Sequence, residues 1–242
     1  RCLGFEELDG EKNLAFKAVE FWRKETGLSF GIKIIIRKRI PPEAGLGGGS
    51  SNAIATLVGL NHWLFDPLEQ SVLHRIGSNL GSDCPFFLYN DCCVAEGRGE
   101  KIRRLRIPAT RNLHGQQVFL FKPPIGLATA EVFQSTKEDK KYDDLNLTAR
   151  KAHKRLDSWE KGDLMDEDFM HNSLEKSVFK KFVFFSTLFE RLKRRFGVFS
   201  HMSGSGSCCF CFVTDKVSWE EFKECVRQAW GEESFLARAR IL

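Results

Sequence analysis

The sequence predicts an α+β chain built as two domains, and three observations lead to that reading. Strand-like runs, Phe30-Gly-Ile-Lys-Ile-Ile-Ile36 and Val118-Phe-Leu-Phe121, are interspersed with helical periodicities but lack the steady alternation of a doubly wound sheet. A composition break between Pro108 and Gly115 separates two stretches that each hold strands and helices. Each stretch also carries a glycine-rich loop, the first at Gly45 to Gly49 and the second at Gly204 to Gly206. The domains are accordingly placed at residues 1–112 and 113–242.

Taken in order, Leu14, Ala18, Phe21 and Trp22 fall at helical spacing, and Gly27 stops that helix. The strand from Phe30 to Ile36 follows, β-branched at most positions. Beyond the first glycine loop, Ile54, Leu57, Val58 and Leu64 line one face of a helix. It is expected to start at Ser50 or Ser51, both good N-caps. Residues 68–80 read as another helix, and Phe86-Phe-Leu88 and Cys92-Cys-Val94 as short strands. Val118 to Phe121 opens the second domain, with helices expected over 147–161, 163–171 and 181–196. The second glycine loop leads into a cysteine-rich strand, Ser207-Cys-Cys-Phe-Cys-Phe-Val213, and Trp219 to Trp230 closes as an amphipathic helix. His62 and His171 read as ordinary helix residues.

Composition narrows the class. With 242 residues, 42% of them hydrophobic and 22 of them Phe, the chain has material for a sizeable core. Its 37 basic and 32 acidic residues are interspersed, and the net charge of +5 is mild. The densest basic run, Arg191-Leu-Lys-Arg-Arg195, lacks interleaved aromatics, so it reads as a solvated helix face. No nucleic-acid partner is expected. The eight cysteines include the neighbours Cys92-Cys93 and Cys208-Cys209 but no CxxC spacing. They read as buried apolar residues of a chain kept in a reducing compartment, not as disulfides or a zinc site. No apolar run approaches the roughly 18 residues of a membrane span. The expectation is a cytoplasmic protein with no membrane partner, and the sequence carries no signal of oligomeric state.

The stretch Pro41-Pro-Glu-Ala-Gly-Leu-Gly-Gly-Gly-Ser-Ser51 places four glycines in five positions directly ahead of a helix. A helix N-terminus presents unpaired N–H groups and the positive end of its dipole, and glycines let that backbone close on an anion. The chemistry indicated is phosphate binding. Ser50 and Ser51 add hydroxyls able to cap the helix, touch phosphate or support a magnesium ion. A Walker A loop is excluded because no Gly-Lys-Ser/Thr occurs. The dinucleotide fingerprint fails too, because Ser50 stands where its third glycine belongs.

These residues resemble the central ATP-binding motif of the GHMP kinase family. The triple glycine with Ser51-Asn-Ala-Ile-Ala-Thr-Leu-Val-Gly-Leu-Asn61 is most similar to the 4-diphosphocytidyl-2-C-methyl-D-erythritol kinases of non-mevalonate isoprenoid biosynthesis. Gly81-Ser-Asp-Cys-Pro-Phe-Phe87 resembles their G-A-D-V-P-F-F segment, and Ala95-Glu-Gly-Arg-Gly-Glu100 the element after it. Asn172-Ser-Leu-Glu175 resembles N-D-L-E with serine in place of aspartate, and Met202-Ser-Gly-Ser-Gly-Ser207 resembles the C-terminal glycine motif. The likeness implies a two-domain fold, with an N-terminal domain like domain 2 of ribosomal protein S5 and a ferredoxin-like C-terminal domain. It further implies transfer of the ATP γ-phosphoryl to a hydroxyl of cytidine diphosphate methylerythritol, a small-molecule substrate, with Mg2+ assisting. Another GHMP small-molecule kinase, or a non-catalytic nucleotide binder of this fold, is the alternative.

Residue roles follow from the same resemblance. Asp83, which spacing alone reads as a turn residue, takes the position of the family's general base. Pro41, Pro42, Glu43, Ala44, Gly45, Leu46, Gly47, Gly48, Gly49, Ser50 and Ser51 would cradle the ATP phosphates. Ser203, Gly204, Ser205 and Gly206 form a second phosphate or substrate loop, which without the likeness reads equally as a tight turn. Thr129 and Phe133 fall where the family contacts the cytidine end, although a lone Phe at that spacing ordinarily belongs to a core. The family's early P-A-K-x-N-L motif and the histidine of D-G-Y-H have no counterpart, and Lys12 matches a later part of the pattern. The chain is therefore expected to begin after that motif, or to have lost it. By itself it is expected to be less stable than a complete member and weakly active.

Overall fold

The computed structural model describes residues 1–105, 111, 113–138, 152–158 and 170–241. They belong to two compact units. The first comprises Arg1–Pro42 with Gly47–Leu105, the second Glu43–Leu46 with Arg106–Leu242. The expected helix over 163–171 lies outside the described residues up to 169, and His171 sits in an exposed coil segment. Of the helix expected over 147–161, residues 152–158 are described and helical.

The first unit is built on three helices. Helix α1, Leu14–Thr26, starts where the Asn13 side chain accepts a hydrogen bond from Ala15 N–H and ends at Gly27 in the left-handed conformation. Helix α2 spans Gly48–Trp63 and α3 spans Gln70–Leu80. Trp22, Ala53, Ile54, Leu57 and Ile76 interlock as their core. Buried Asn61 ties them together: it accepts from Trp22 Nε1 at 3.2 Å and exchanges two bonds with the Leu68 backbone. Every polar atom of that amide is used, as a buried amide requires.

Three expectations are corrected here. The strand expected from Phe30 to Ile36 forms a ladder only at β2, Ile36–Arg37, parallel to β1, Cys2–Leu3. A strand extends only as far as its partner, and β1 offers two residues. Phe86 to Leu88 is not a strand but part of a 3₁₀ turn, Pro85–Leu88, because Pro85 at its first position fixes φ in the helical range. Val58 does not line the buried face of α2: it is exposed, and Asn61 takes its share of the interior. A hairpin of β3, Cys93–Glu96, and β4, Lys101–Arg104, completes the unit.

The second unit carries a four-stranded antiparallel sheet in the order β6-β7-β5-β8. These strands are β5 Gln117–Lys122, β6 Ser200–Met202, β7 Cys209–Val213 and β8 Phe235–Arg240. Besides the helical residues 152–158, its described helices include α4, Thr129–Glu138; α5, Glu175–Lys181; α6, Phe184–Phe196; and α7, Trp219–Trp230. Phe185, Leu188 and Leu192 of α6 and Phe222 and Val226 of α7 share a core with Phe119 and Phe121 of β5. In the β5–β7 register Phe119 lies opposite Cys211 and Phe121 opposite Cys209, so each large ring is set across from a small side chain. The basic run Arg191–Arg195 turns to solvent, apart from buried Leu192. Among the described residues no helix is long and apolar enough to cross a membrane.

Candidate active site

In the first unit the glycine loop runs directly into α2. The helix starts at Gly48, two residues ahead of Ser50, and its cap is Gly47 at φ 64°, with no side chain bonding the free N–H groups. The expected serine cap is therefore corrected. Ser51 lies inside the first turn, its hydroxyl donating to Gly48 O at 3.1 Å, while Ser50 hydrogen-bonds the Cys84 sulfur. The left-handed cap is open to glycine alone here, since a Cβ on Gly47 would stand 2.7 Å from the Phe87 ring. The result is a bare helix N-terminus, with its donors and dipole available to an anion. Lys38, which sequence reasoning did not single out, brings its ammonium to 3.8 Å from the Cβ position of Gly48.

Asp83 sits in the turn closed by Cys84 N–H donating to Gly81 O at 3.1 Å. Its carboxylate is exposed, while the next residue, Cys84, is fully buried. Burial pushes that thiol up from its ordinary range, a trend Ser50 opposes by hydrogen bonding. The Ser50–Cys84 contact and the Phe87–Gly47 contact thus bring the Asp83 turn to the start of α2. Pro41 and Pro42, half-buried, lead the chain out of this unit.

In the second unit residues Glu43 to Leu46 lie alongside the second glycine loop. Ser207 N–H donates to Glu43 O and Cys208 N–H to Ala44 O, both at 3.1 Å, and the Ser203 hydroxyl donates to Gly45 O at 2.8 Å. A Cβ on Gly45 would fall 2.1 Å from Ser203 O, so the two backbones touch. Asn172 donates to Met202 O and Gly204 O at 2.9 and 2.8 Å, and Glu175 accepts from Met202 N–H at 2.6 Å. These bonds account for two members of the Asn172-to-Glu175 motif as supports of the loop. Thr129 pairs with Ser205 through their hydroxyls at 2.9 Å, and Phe133 follows one turn later on α4, 46% exposed. That exposure sets Phe133 apart from core phenylalanines such as Phe119.

The residues named from the sequence thus assemble in two groups: Gly47 to Ser51 with Asp83, and Glu43 to Leu46 with Ser203 to Gly206 and Thr129. Residues 13–91 match the GHMP kinases N terminal domain, and residues 149–232 match the GHMP kinases C terminal domain. A 4-diphosphocytidyl-2-C-methyl-D-erythritol kinase of Thermodesulfovibrio yellowstonii is 35% identical over 210 residues, 85% of this chain and 70% of the relative. The chain belongs to the GHMP kinase family. A second kinase of the same name, from Pelotomaculum thermopropionicum, is 33% identical over 85% of this chain and 69% of its own. The chain thus spans about 70% of the length of these two relatives.

Solved structures agree on the fold. The crystal structure of a 4-(cytidine 5'-diphospho)-2C-methyl-D-erythritol kinase superposes with a TM-score of 0.72 at 29% identity, covering 96% of this chain and 80% of that one. Homoserine kinase from Cytophaga hutchinsonii gives 0.74 at 17% identity, over 99% of this chain and 80% of its own, a likeness of fold. Both parts of the GHMP kinase fold expected from the sequence are thereby found.

Proposed function

We propose that this GHMP kinase chain transfers the γ-phosphoryl of ATP to a hydroxyl of the methylerythritol moiety of 4-diphosphocytidyl-2-C-methyl-D-erythritol, in the cytoplasm, for isoprenoid precursor synthesis. The observation that carries this reading is the 35% identity to such a kinase along 85% of the chain. The local chemistry supports it. Phosphoryl transfer asks the protein for positioning and charge neutralisation, and the uncapped α2 N-terminus offers both to the phosphates. Asp83 is the general base: its exposed carboxylate accepts the proton of the attacking hydroxyl. Thr129 and Phe133 receive the cytidine end, the exposed ring offering a stacking face.

Magnesium neutralises phosphate charge when bound. No group of three His, Cys, Asp or Glu among the described residues could hold it. The Ser50 or Ser51 hydroxyl together with the ATP phosphates fits its habit of taking few protein ligands. The test is phosphorylation of the cytidyl substrate, with mevalonate and homoserine as controls. Turnover of the cytidyl substrate alone is expected, and Asp83→Asn should lower kcat by about 10²–10⁴-fold. Turnover that survives this substitution removes Asp83 as the base. Nucleotide binding without phosphorylation of any of the three makes the chain a binder.

A further inference from the structure

The residue that stands out beyond these assignments is Lys122. It ends β5, where Val118, Phe119 and Phe121 are also buried, and is itself only 7% exposed. Its ammonium donates to Ile125 O at 2.7 Å and to Pro123 O at 3.2 Å. The charge is thus met by backbone carbonyls, with the Glu43 carboxylate acting on it through space. Burying an ammonium in this way is costly, and an apolar side chain would suit the strand better. Stability therefore does not account for lysine here.

The carbonyl that Lys122 holds has a second donor, the hydroxyl of Ser207, a residue with no exposed surface. Ser207 N–H in turn holds Glu43 O, and the adjacent Cys208 N–H holds Ala44 O. The sequence of contacts is therefore Lys122, the Ile125 carbonyl, Ser207 and then the Glu43–Leu46 segment, all inside the second unit. We propose that Lys122 is a positioning residue that, through Ile125 O and Ser207, holds the 203–207 loop in register with Glu43–Leu46 for phosphate binding. This rests on the kinase reading above for what the loop binds, but not for how the loop is held. Burial also lowers the ammonium pKa, as its enclosed position requires, with Cys208 and Glu43 the groups that face it.

The test compares the chain with Lys122→Met, Ser207→Ala and the double variant. The first readout is amide exchange at Gly206, Ser207 and Cys208, which needs no activity. Each single substitution is expected to speed exchange there at least 10-fold while α7 keeps its protection. The second is steady-state kinetics with ATP and the cytidyl substrate. Each single substitution is expected to lower kcat/KM for ATP at least 10-fold and leave KM for the cytidyl substrate within about 2-fold. The double variant should lose little more than the worse single one, because both act through one carbonyl. Losses that multiply, or loop exchange that stays unchanged in Lys122→Met, overturn the proposal. If exchange accelerates equally throughout α7, Lys122 is a fold residue and the proposal also fails. An unsubstituted chain that phosphorylates nothing refutes the kinase reading instead, and exchange still decides the role of Lys122.

Discussion

Cys208 is fully buried beside the second glycine loop, and desolvation pushes its thiol up to about 12, as it does for Cys211 on β7. Above an ordinary value of 9.0 the unfolded thiol ionises while the folded one keeps its proton. The native state then binds more protons, so stability falls as pH rises, by about 1.4 kcal/mol per pH unit for each thiol. Lys122, with its pKa lowered from 10.5, contributes in the opposite direction. Two thiols outweigh one lysine, so urea midpoints should drop between pH 8.5 and pH 10, and Cys211→Ala should flatten the slope. A profile equally steep in that variant would contradict the assignment. At this scale the sequence was informative about type: six of eight cysteines are buried, as their lack of CxxC spacing suggested. Lys122 was illegible, because nothing local marks a lysine that ends a strand as an interior one.

Among the elements, the start of α2 bears most directly on function. Gly47 combines φ 64° with a ring 2.7 Å from any added Cβ. Gly47→Ala should therefore cost about 1–2 kcal/mol of stability from the left-handed conformation alone, before Phe87 has to move. It should also weaken nucleotide binding, since the first N–H groups of the helix change direction. Chemical denaturation and a nucleotide titration on the same sample check both, and unchanged affinity would separate this turn from phosphate binding. Elements with a strong one-sided pattern, α1 and α7, were readable to within a residue or two, because amphipathic spacing is a local property. The stretch 30–36 was misread as a full strand because β-branched residues report a preference, whereas a ladder needs a partner. β8 was missed: Phe235–Arg240 holds four apolar and two polar residues that alternate only from Ala237 onward, and it becomes a strand by pairing with β5.

For the whole molecule, the decisive property is that nucleotide should bind the native state and not the unfolded chain. A non-hydrolysable ATP analogue at about 100 times its Kd should stabilise the chain by about 2.7 kcal/mol and raise Tm accordingly. A Tm indifferent to the analogue would remove the phosphate-site reading of both glycine loops. Each unit owns a core, one centred on Trp22 and Leu57 and the other on Phe121 and Phe222, and the loop's residues are divided between them. The sequence by itself determined the glycine loops, the phosphate chemistry they indicate, the family and the strongly amphipathic helices. All of these are written in residues a few positions apart. Only the tertiary structure decided that Ser203 would bond Gly45 across 158 residues, that Ser207 would share a carbonyl with Lys122, and that Gly47 rather than a serine would cap α2. Those outcomes depend on which distant backbone or ring arrives within hydrogen-bonding or van der Waals distance. Local propensity carries no information about such arrivals, since they are settled by the packing of the finished core.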